Sequence, residues 1–567
     1  MTLSLSQLAD PRFFAENRLE PHSDHRWYAT EEEAAAGDSS FEQLLSGEWR
    51  FHCAKNPDAV PGGFEAPDFD VTDWDEIAVP GHIQLQGYDR PQYVNKQYPW
   101  DGRVQVAPPN IPTAENPVGC YVKDFSVATP MVEGERLTLQ FDGAEAAVAV
   151  WVNGHYVGYA EDGFTPSTFD ITDYVASGEN RLAVQVYKWT SASWLEDQDF
   201  FRFSGLFRDV WLKTRPSTHI EDVRVRTLVT HDRERASVTV DLKMAGRPGQ
   251  VQGALFDESG AKVGDFAQPE AGTLELEVAH PHLWSSERPY LYSALLEVFD
   301  AEGTLTEVVP LKVGIRRFGI EDGVLKINGE RLMFRGVNRH EFGRNGRVVT
   351  REETRRDLVL LKRLGVNAIR TAHYPNSRDL YELADELGFY VLDEMNLETH
   401  GSWDQERLGD VNLETVLPGD DPKWVPMLED RANNMLQGNK NHPSIVMWSI
   451  GNESYGGKDL LDVANFLRSK DDRPVHYEGL FWDNRYPDTS DVNSQMYTSA
   501  ADVEEFLKRN QDKPFILCEF AHAMGNSFGA VDRYMDLADR EPLFQGGFIW
   551  DFADQAKRKR TAEPATS

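Results

Sequence analysis

Two glutamates stand at the ends of apolar runs sixty-six residues apart, Glu453 in WSIGNES (Trp448 to Ser454) and Glu519 in ILCEFAHAMGNS (Ile516 to Ser527). A carboxyl pair held on opposite sides of one bond can cleave a glycoside: one group gives a proton to the departing oxygen while the other attacks carbon or positions water. Carboxyls about 5 Å apart give a covalent intermediate and retention, whereas a wider gap admits an inverting water. Taken singly, Glu519 also reads as a carboxylate paired with a neighbouring arginine such as Arg370.

Such a pair needs elements that hold it across a pocket. From residue 332 onward, apolar runs of four to six residues alternate with helical patterns: LMFRGV at 332, NAIRTA at 367, YVLDEM at 390, IVMWSI at 445, VHYEG at 475, SQMY at 494, FILCEF at 515 and GFIWDF at 547. Eight buried strands with helices between them predict a parallel (β/α)₈ barrel. Thr350 with Glu353 forms a capping box ahead of Leu358, Leu361 and Leu364, and Gly365 stops that helix; Asn376 opens the next, which ends at Gly388.

The C-terminal ends of barrel strands form the catalytic face. The polar residues just past the runs are Asn338, Arg339 and His340; His373; Asn396, Glu398 and His400; Asn452 and Glu453; Glu478; Tyr497; Glu519 and His522; and Trp550. Each alone reads as a hydrogen-bonded rim residue, but packing does not explain the whole ring.

Upstream, residues 41–214 carry short alternating runs. VAVWV at Val148 to Val152 precedes Asn153-Gly154, a pair suited to a hairpin turn with two positive φ angles, and RLAVQVY at Arg181 alternates similarly. These predict a β-sandwich. ASVTVDL at Ala236, VQGALFD at Val251 and LYSALLEVF at Leu291 predict a second, immunoglobulin-like sandwich that acts as a spacer.

The formal charge of −35 repels phosphate backbones and anionic headgroups, which argues against nucleic acid and membrane partners. Cys53, Cys120 and Cys518 have no metal-ligand spacing, and no apolar run reaches eighteen residues. With an N-terminus lacking signal-peptide character, the expectation is a reduced, cytoplasmic protein.

The segments RGVNRHEF, RTAHYPN, LDEMNLETHG, WSIGNES, MYTS, ILCEFAHAMGNS and GGFIWDFADQ, in that order, resemble the β-galactosidases of glycoside hydrolase family 2. The resemblance implies a multidomain chain: a jelly-roll β-sandwich with an N-terminal arm over 1–216, an immunoglobulin-like β-sandwich over 217–317, and a catalytic (β/α)₈ TIM barrel over 318–567. It implies retaining hydrolysis of terminal β-D-galactosides such as lactose, with Glu519 as nucleophile and Glu453 as acid then base. Tyr497 would bond the nucleophile, His340, His373, His522 and Asn452 would bind sugar hydroxyls, and Trp550 would offer an apolar face. Glu398, His400 and Glu453 resemble a Mg²⁺ site. Asn95, in PQYVNKQYP, would reach the substrate, and Asp199, in LEDQDFFRFSG, a Na⁺ ion that touches the sugar.

Relatives in that family continue past the barrel with a closing helix, further sodium ligands and more β-domains, and form homo-oligomers. Here seventeen residues follow Trp550, with a KRKR run and no amphipathic face, so the barrel is expected to lack its closing helix, to end in a frayed tail and to expose apolar surface beside the last strand. Two readings follow: an active β-galactosidase, or a truncated chain that is inactive or needs a complementing piece. A β-glucuronidase or β-mannosidase of the same family is the further alternative.

Overall fold

The computed structural model describes residues 3–127, 131–404 and 410–556. Eight parallel strands form the barrel: β1 (Phe334–Asn338), β2 (Ala368–Arg370), β3 (Tyr390–Glu394), β4 (Ile445–Ser449), β5 (Val475–His476), β6 (Asn493–Met496), β7 (Phe515–Phe520) and β8 (Phe544–Ile549). Each overlaps one of the apolar runs picked out above. Strands buried on both faces are apolar throughout, which is why the runs are continuous.

β8 pairs with β1 as well as β7, with Val337 opposite Ile549, so the last strand is closed into the sheet. The ends of the ladder are β5 and β6 instead. They are joined by the Asp491 N–H to the Val475 carbonyl (2.8 Å) and by His476 against Ser494 (2.9 Å). The apolar exposure expected beside β8 is therefore not found on that strand. Phe544 and Phe548 are fully buried, Phe548 against Phe334 inside the barrel and Phe544 beneath the helix Val531–Arg540. Exposed apolar side chains include Leu360 on the helix after β1, Leu364 just past its end, and Met524 and Phe528 in the loop after β7. No helix follows β8 through residue 556, and the KRKR run expected to fray lies outside the described residues.

Helix Arg351–Arg363 starts with the expected capping box, Thr350 and Glu353 exchanging side-chain and backbone bonds. The next helix, Arg378–Leu387, begins after Ser377 rather than Asn376, and the Ser377 hydroxyl makes no capping bond. Asn376 is occupied elsewhere: its amide donates to the Tyr374 carbonyl and accepts from Arg339. Gly388 ends that helix with φ +79°, and a Cβ there would stand 2.4 Å from the Ser286 carbonyl oxygen, so glycine is required. Between β5 and β6 the expected helix is replaced by two short 3₁₀ turns, Gly479–Phe481 and Pro487–Thr489.

The first sandwich sets a seven-stranded sheet against a four-stranded one, and its hairpin turns through Asn153 (φ 50°) and Gly154 (φ 80°) as expected. The second sandwich has two four-stranded sheets around Val240, Leu255 and Leu296. The N-terminal arm joins all three units. Ala15–Glu16 extends the seven-stranded sheet, Trp27 packs into the second core, and Arg18 bonds Asp430 of the barrel at 2.5 Å. Within the described residues, no helix is long and apolar enough to cross a membrane.

Candidate functional site

Arg370, at the end of β2, is the hub of the barrel mouth. Its fully buried guanidinium donates to Glu394 (2.8 Å), Asn338 (3.0 Å), Asn452 (2.9 Å) and Glu519 (3.0 Å), drawing together β1, β2, β3, β7 and the segment after β4. The simple reading of Glu519 as an arginine-paired carboxylate is thus correct as to the contact. It is not the whole of its environment, because Tyr497 donates to the other oxygen at 2.6 Å. The Nε2 of His373 lies 3.8 Å from Glu519.

Glu453 sits just past β4 with φ +33°, a left-handed conformation. Its N–H is held by the Glu478 carboxylate (2.6 Å), and Trp403 donates to its carbonyl (2.7 Å). These bonds hold the turn and leave the side chain to pair with His400 Nδ1 at 2.7 Å. Burial raises the Glu519 carboxyl, to about 7, against the opposing pull of Arg370, and the charge of Glu453 adds to the rise. Burial pushes Glu453 upward too, but His400 outweighs it and holds that carboxyl below its ordinary value.

Those directions place a shared proton on Glu519, the reverse of a nucleophile and acid pair. The donor set argues the other way and carries more weight. Arg370 has no lone pair with which to receive a proton, and it is buried, so protonating Glu519 would leave that cation facing a neutral acid.

His373 donates from Nδ1 to Glu394 (2.7 Å) and stacks on Trp550 with ring centres 5.3 Å apart. His340 lies edge-on to the same tryptophan at 5.5 Å, its Nδ1 against Tyr374 (3.3 Å) and its Nε2 without a partner among the described residues. Burial, followed by nearby positive charge, lowers both imidazoles well below their ordinary range, so each is neutral; His373, donating from Nδ1, presents Nε2 as an acceptor, and His340 presents an unpaired Nε2. Asn452 bonds Arg370 and Glu398 with the two ends of its amide. His522 is exposed at the rim, its ring 5.9 Å from Tyr497.

The first sandwich supplies one wall. The Glu398 N–H donates to the Leu195 carbonyl, and the Asp197 N–H to the Glu398 carbonyl, both at 2.9 Å. Asp199 follows, accepting from the Tyr93 hydroxyl, and Phe200 pairs with Val94, which brings the exposed Asn95 alongside.

Glu398, His400 and Glu453 offer ligand atoms within 4.8 Å of one another. Glu398 is fully buried and its Oε1 has no donor among the described residues, which is what a site for a hard cation requires. Around Asp199, the Gln555 amide donates to its carbonyl (3.1 Å), while Gln555 Oε1 and Asp551 Oδ1 are buried without donors. Burial raises Asp551, to about 6, and Asp199 contributes. Both donor sets fit oxygen-seeking cations.

The structure thus brings Glu453, Glu519, Tyr497, His373, His340, Trp550, Asn452, Glu398 and His400 to one mouth, with Asn95 and Asp199 on the sandwich side and His522 at the rim. Sequence reading missed the hub role of Arg370, and it missed Glu394, Trp403 and Asp551. The available signal was a charged residue inside an apolar run, as in NAIRTA and YVLDEM.

An eight-stranded parallel barrel with paired carboxylates at its C-terminal mouth, preceded by two sandwiches, is the architecture of a multidomain glycosidase. The chain belongs to glycosyl hydrolases family 2: the sugar binding domain of that family matches residues 42–216, a model described simply as glycosyl hydrolases family 2 matches 218–316, and the family's TIM barrel domain matches 318–566. A β-galactosidase of Halalkalibacterium halodurans is 48% identical over 98% of this chain and 56% of its own length. That of Streptococcus thermophilus is 43% identical over 97% of this chain and 56% of its own. The chain therefore spans about half the length of these relatives. A β-galactosidase large subunit of Leuconostoc lactis is 42% identical over 98% of this chain and 91% of its own. Among solved structures, a Bifidobacterium dentium β-glucuronidase shares the fold, with TM-score 0.72, 22% identity, and coverage of 92% of this chain and 93% of that one.

Proposed function

We propose that this chain carries the catalytic barrel of a retaining β-galactosidase acting on terminal β-galactosides such as lactose, and that a second polypeptide completes it. The single observation that carries the reading is Glu519 gripped by Arg370 and Tyr497 in the same mouth as the Glu453–His400 pair. The identity of 40–48% to curated β-galactosidases supports galactoside over glucuronide or mannoside specificity. The large-subunit relatives, matched over 91% of their length, support the second polypeptide.

Glu519 attacks the anomeric carbon while Glu453 gives its proton to the leaving oxygen; Glu453 then takes a proton from the water that releases the sugar. The Nε2 atoms of His340 and His373 bond sugar hydroxyls, that of His373 as an acceptor, and Trp550 covers the C–H face. Arg370 and Tyr497 keep Glu519 oriented and anionic. Mg²⁺ would be held by Glu398, His400 and Glu453 and would supply positive charge beside the acid/base residue; Na⁺ would be held near Asp199, Asp551 and Gln555. The three unpaired cysteines suit a reducing cytoplasm.

Hydrolysis of a chromogenic β-galactoside tests the reading, with β-glucuronide and β-mannoside as comparators. Turnover is expected with the galactoside, and adding a polypeptide matching the C-terminal portion of the longer relatives is expected to raise it. Preference for another glycoside, or no turnover with or without that polypeptide, would overturn the reading.

A further inference from the structure

A cavity of about 700 Å³ lies where the second sandwich meets the underside of the barrel, on the opposite side from the catalytic mouth. Its walls are the sandwich strand His219–Val229, the connection at 313–318, the loop before β4, and the end of helix Lys458–Lys470 with the loop that follows. Eight lysine and arginine side chains line it against three aspartates, although the whole chain carries −35.

Most of these cations are paired with carboxylates: Arg226 with Asp241 (2.8 Å), Arg224 and Arg473 with Asp471 (3.1 and 3.5 Å), Lys440 with Asp222 (2.5 Å), Arg468 with Asp491 (2.9 Å) and Arg317 with Glu321 (3.1 Å). Arg316 and Arg473 lie deeper. Arg316 donates one Nη2 bond to the Ile445 carbonyl (2.7 Å), and Arg473 donates from Nη2 to the Lys440 carbonyl while lying over the Trp448 ring. Arg316 Nε and Arg473 Nη1 are buried and have no acceptor among the described residues. Burial, and then the charge of Arg473, lowers the Arg316 guanidinium to about 9, a sign that the two cations face each other at close range.

Unpaired buried guanidinium N–H groups are costly, and phosphate oxygens in a fork geometry are the ligand that best satisfies them. We propose that this cavity is a binding site for a phosphate-bearing small anion, seated between Arg316 and Arg473 with Lys470 at the rim. The volume exceeds that of one phosphate and accommodates a phosphorylated sugar. Such an anion would bridge the second sandwich to the barrel base without touching the catalytic mouth, and the proposal is independent of the galactosidase reading.

Titration calorimetry on the full chain tests it, with inorganic phosphate and glucose 6-phosphate as probes, at constant ionic strength set with chloride. Saturable binding is expected, weakened at least about tenfold by Arg316→Gln or Arg473→Gln. Lys470→Gln, at an exposed rim position, should weaken it several-fold, and it serves where a buried substitution prevents folding. Tighter binding of the sugar phosphate would identify a phosphomonoester as the ligand; equal or tighter binding of phosphate would identify the free anion. No saturable binding beyond chloride, or the same affinity in the wild type and in every variant that folds, would overturn the proposal.

Discussion

Tyr497→Phe removes one hydroxyl and leaves the ring in place. That hydroxyl donates to Glu519 at 2.6 Å, a bond to an ionised acceptor, and such bonds contribute about 1.5–3 kcal/mol. If Glu519 attacks as an anion, losing the bond raises its pKa by roughly 1–2 units and weakens its hold on the attacking geometry. The expected loss in kcat/KM at neutral pH is about 10- to 150-fold. The acid limb of the pH profile should also move to higher pH, because the bond favours the ionised form. Stability should change by no more than about 0.5 kcal/mol, since Tyr497 is 47% exposed and the ring is kept. The measurement is kcat/KM against pH for an aryl β-galactoside, in whichever form of the enzyme turns over, beside a thermal melt. A loss below about threefold, or an unmoved acid limb with reduced rate, would refute the account of Glu519 as a carboxylate kept anionic by Tyr497.

Glu519→Gln should abolish turnover, whereas Glu453→Gln should spare the first step for aryl galactosides with good leaving groups; equal losses across a leaving-group series would contradict the acid role of Glu453. Exhaustive chelation should lower activity and added Mg²⁺ restore it, and Glu398→Gln should remove that response; rates indifferent to chelator would count against the cation site. Stability should fall as pH rises through the alkaline range because of His442. Burial disfavours its charged form, but Asp385 and Asp24 overcome this and raise it from 6.5 to about 10. Its contribution is complete below pH 6.5 and is lost as pH climbs toward 10, at no more than about 1.4 kcal/mol per unit. His442→Gln should flatten that slope in denaturant melts between pH 7 and 10, and an unchanged slope would show that the ion pair contributes nothing.

The barrel was legible because a strand buried on both faces leaves a continuous apolar run, and all eight runs overlap strands. The start of the next helix after Ser377 was not, because Asn376 is drawn to Arg339, which is distant in sequence. The state of the seam was not legible either: β8 is held by strand pairing with β1, and Phe548 turns inward, so closure of the sheet does not depend on a covering helix. Candidate site residues at strand ends were found by position alone. Arg370 was not given its role because that role exists only where five segments converge.

That convergence explains the electrostatic character of the mouth. Glu394, Glu398, Glu478 and Glu519 are buried there with Glu453 beside them, and Arg370 is the cation that touches two of the five directly. Burying carboxylates in such excess is unfavourable unless positive charge arrives, and the neutral His340 and His373 do not bring it. Two kinds of positive charge would: a bound cation at Glu398, His400 and Glu453, and the oxocarbenium-like charge that develops on a sugar during cleavage. Burial raises Glu394, Glu398, Glu478 and Glu519 above the ordinary carboxylate range, Glu478 to about 8 and Glu519 to about 7, and positive charge arriving in the transition state favours their ionised forms. This is the direction in which binding energy must change if it is to accelerate the reaction rather than merely hold the substrate.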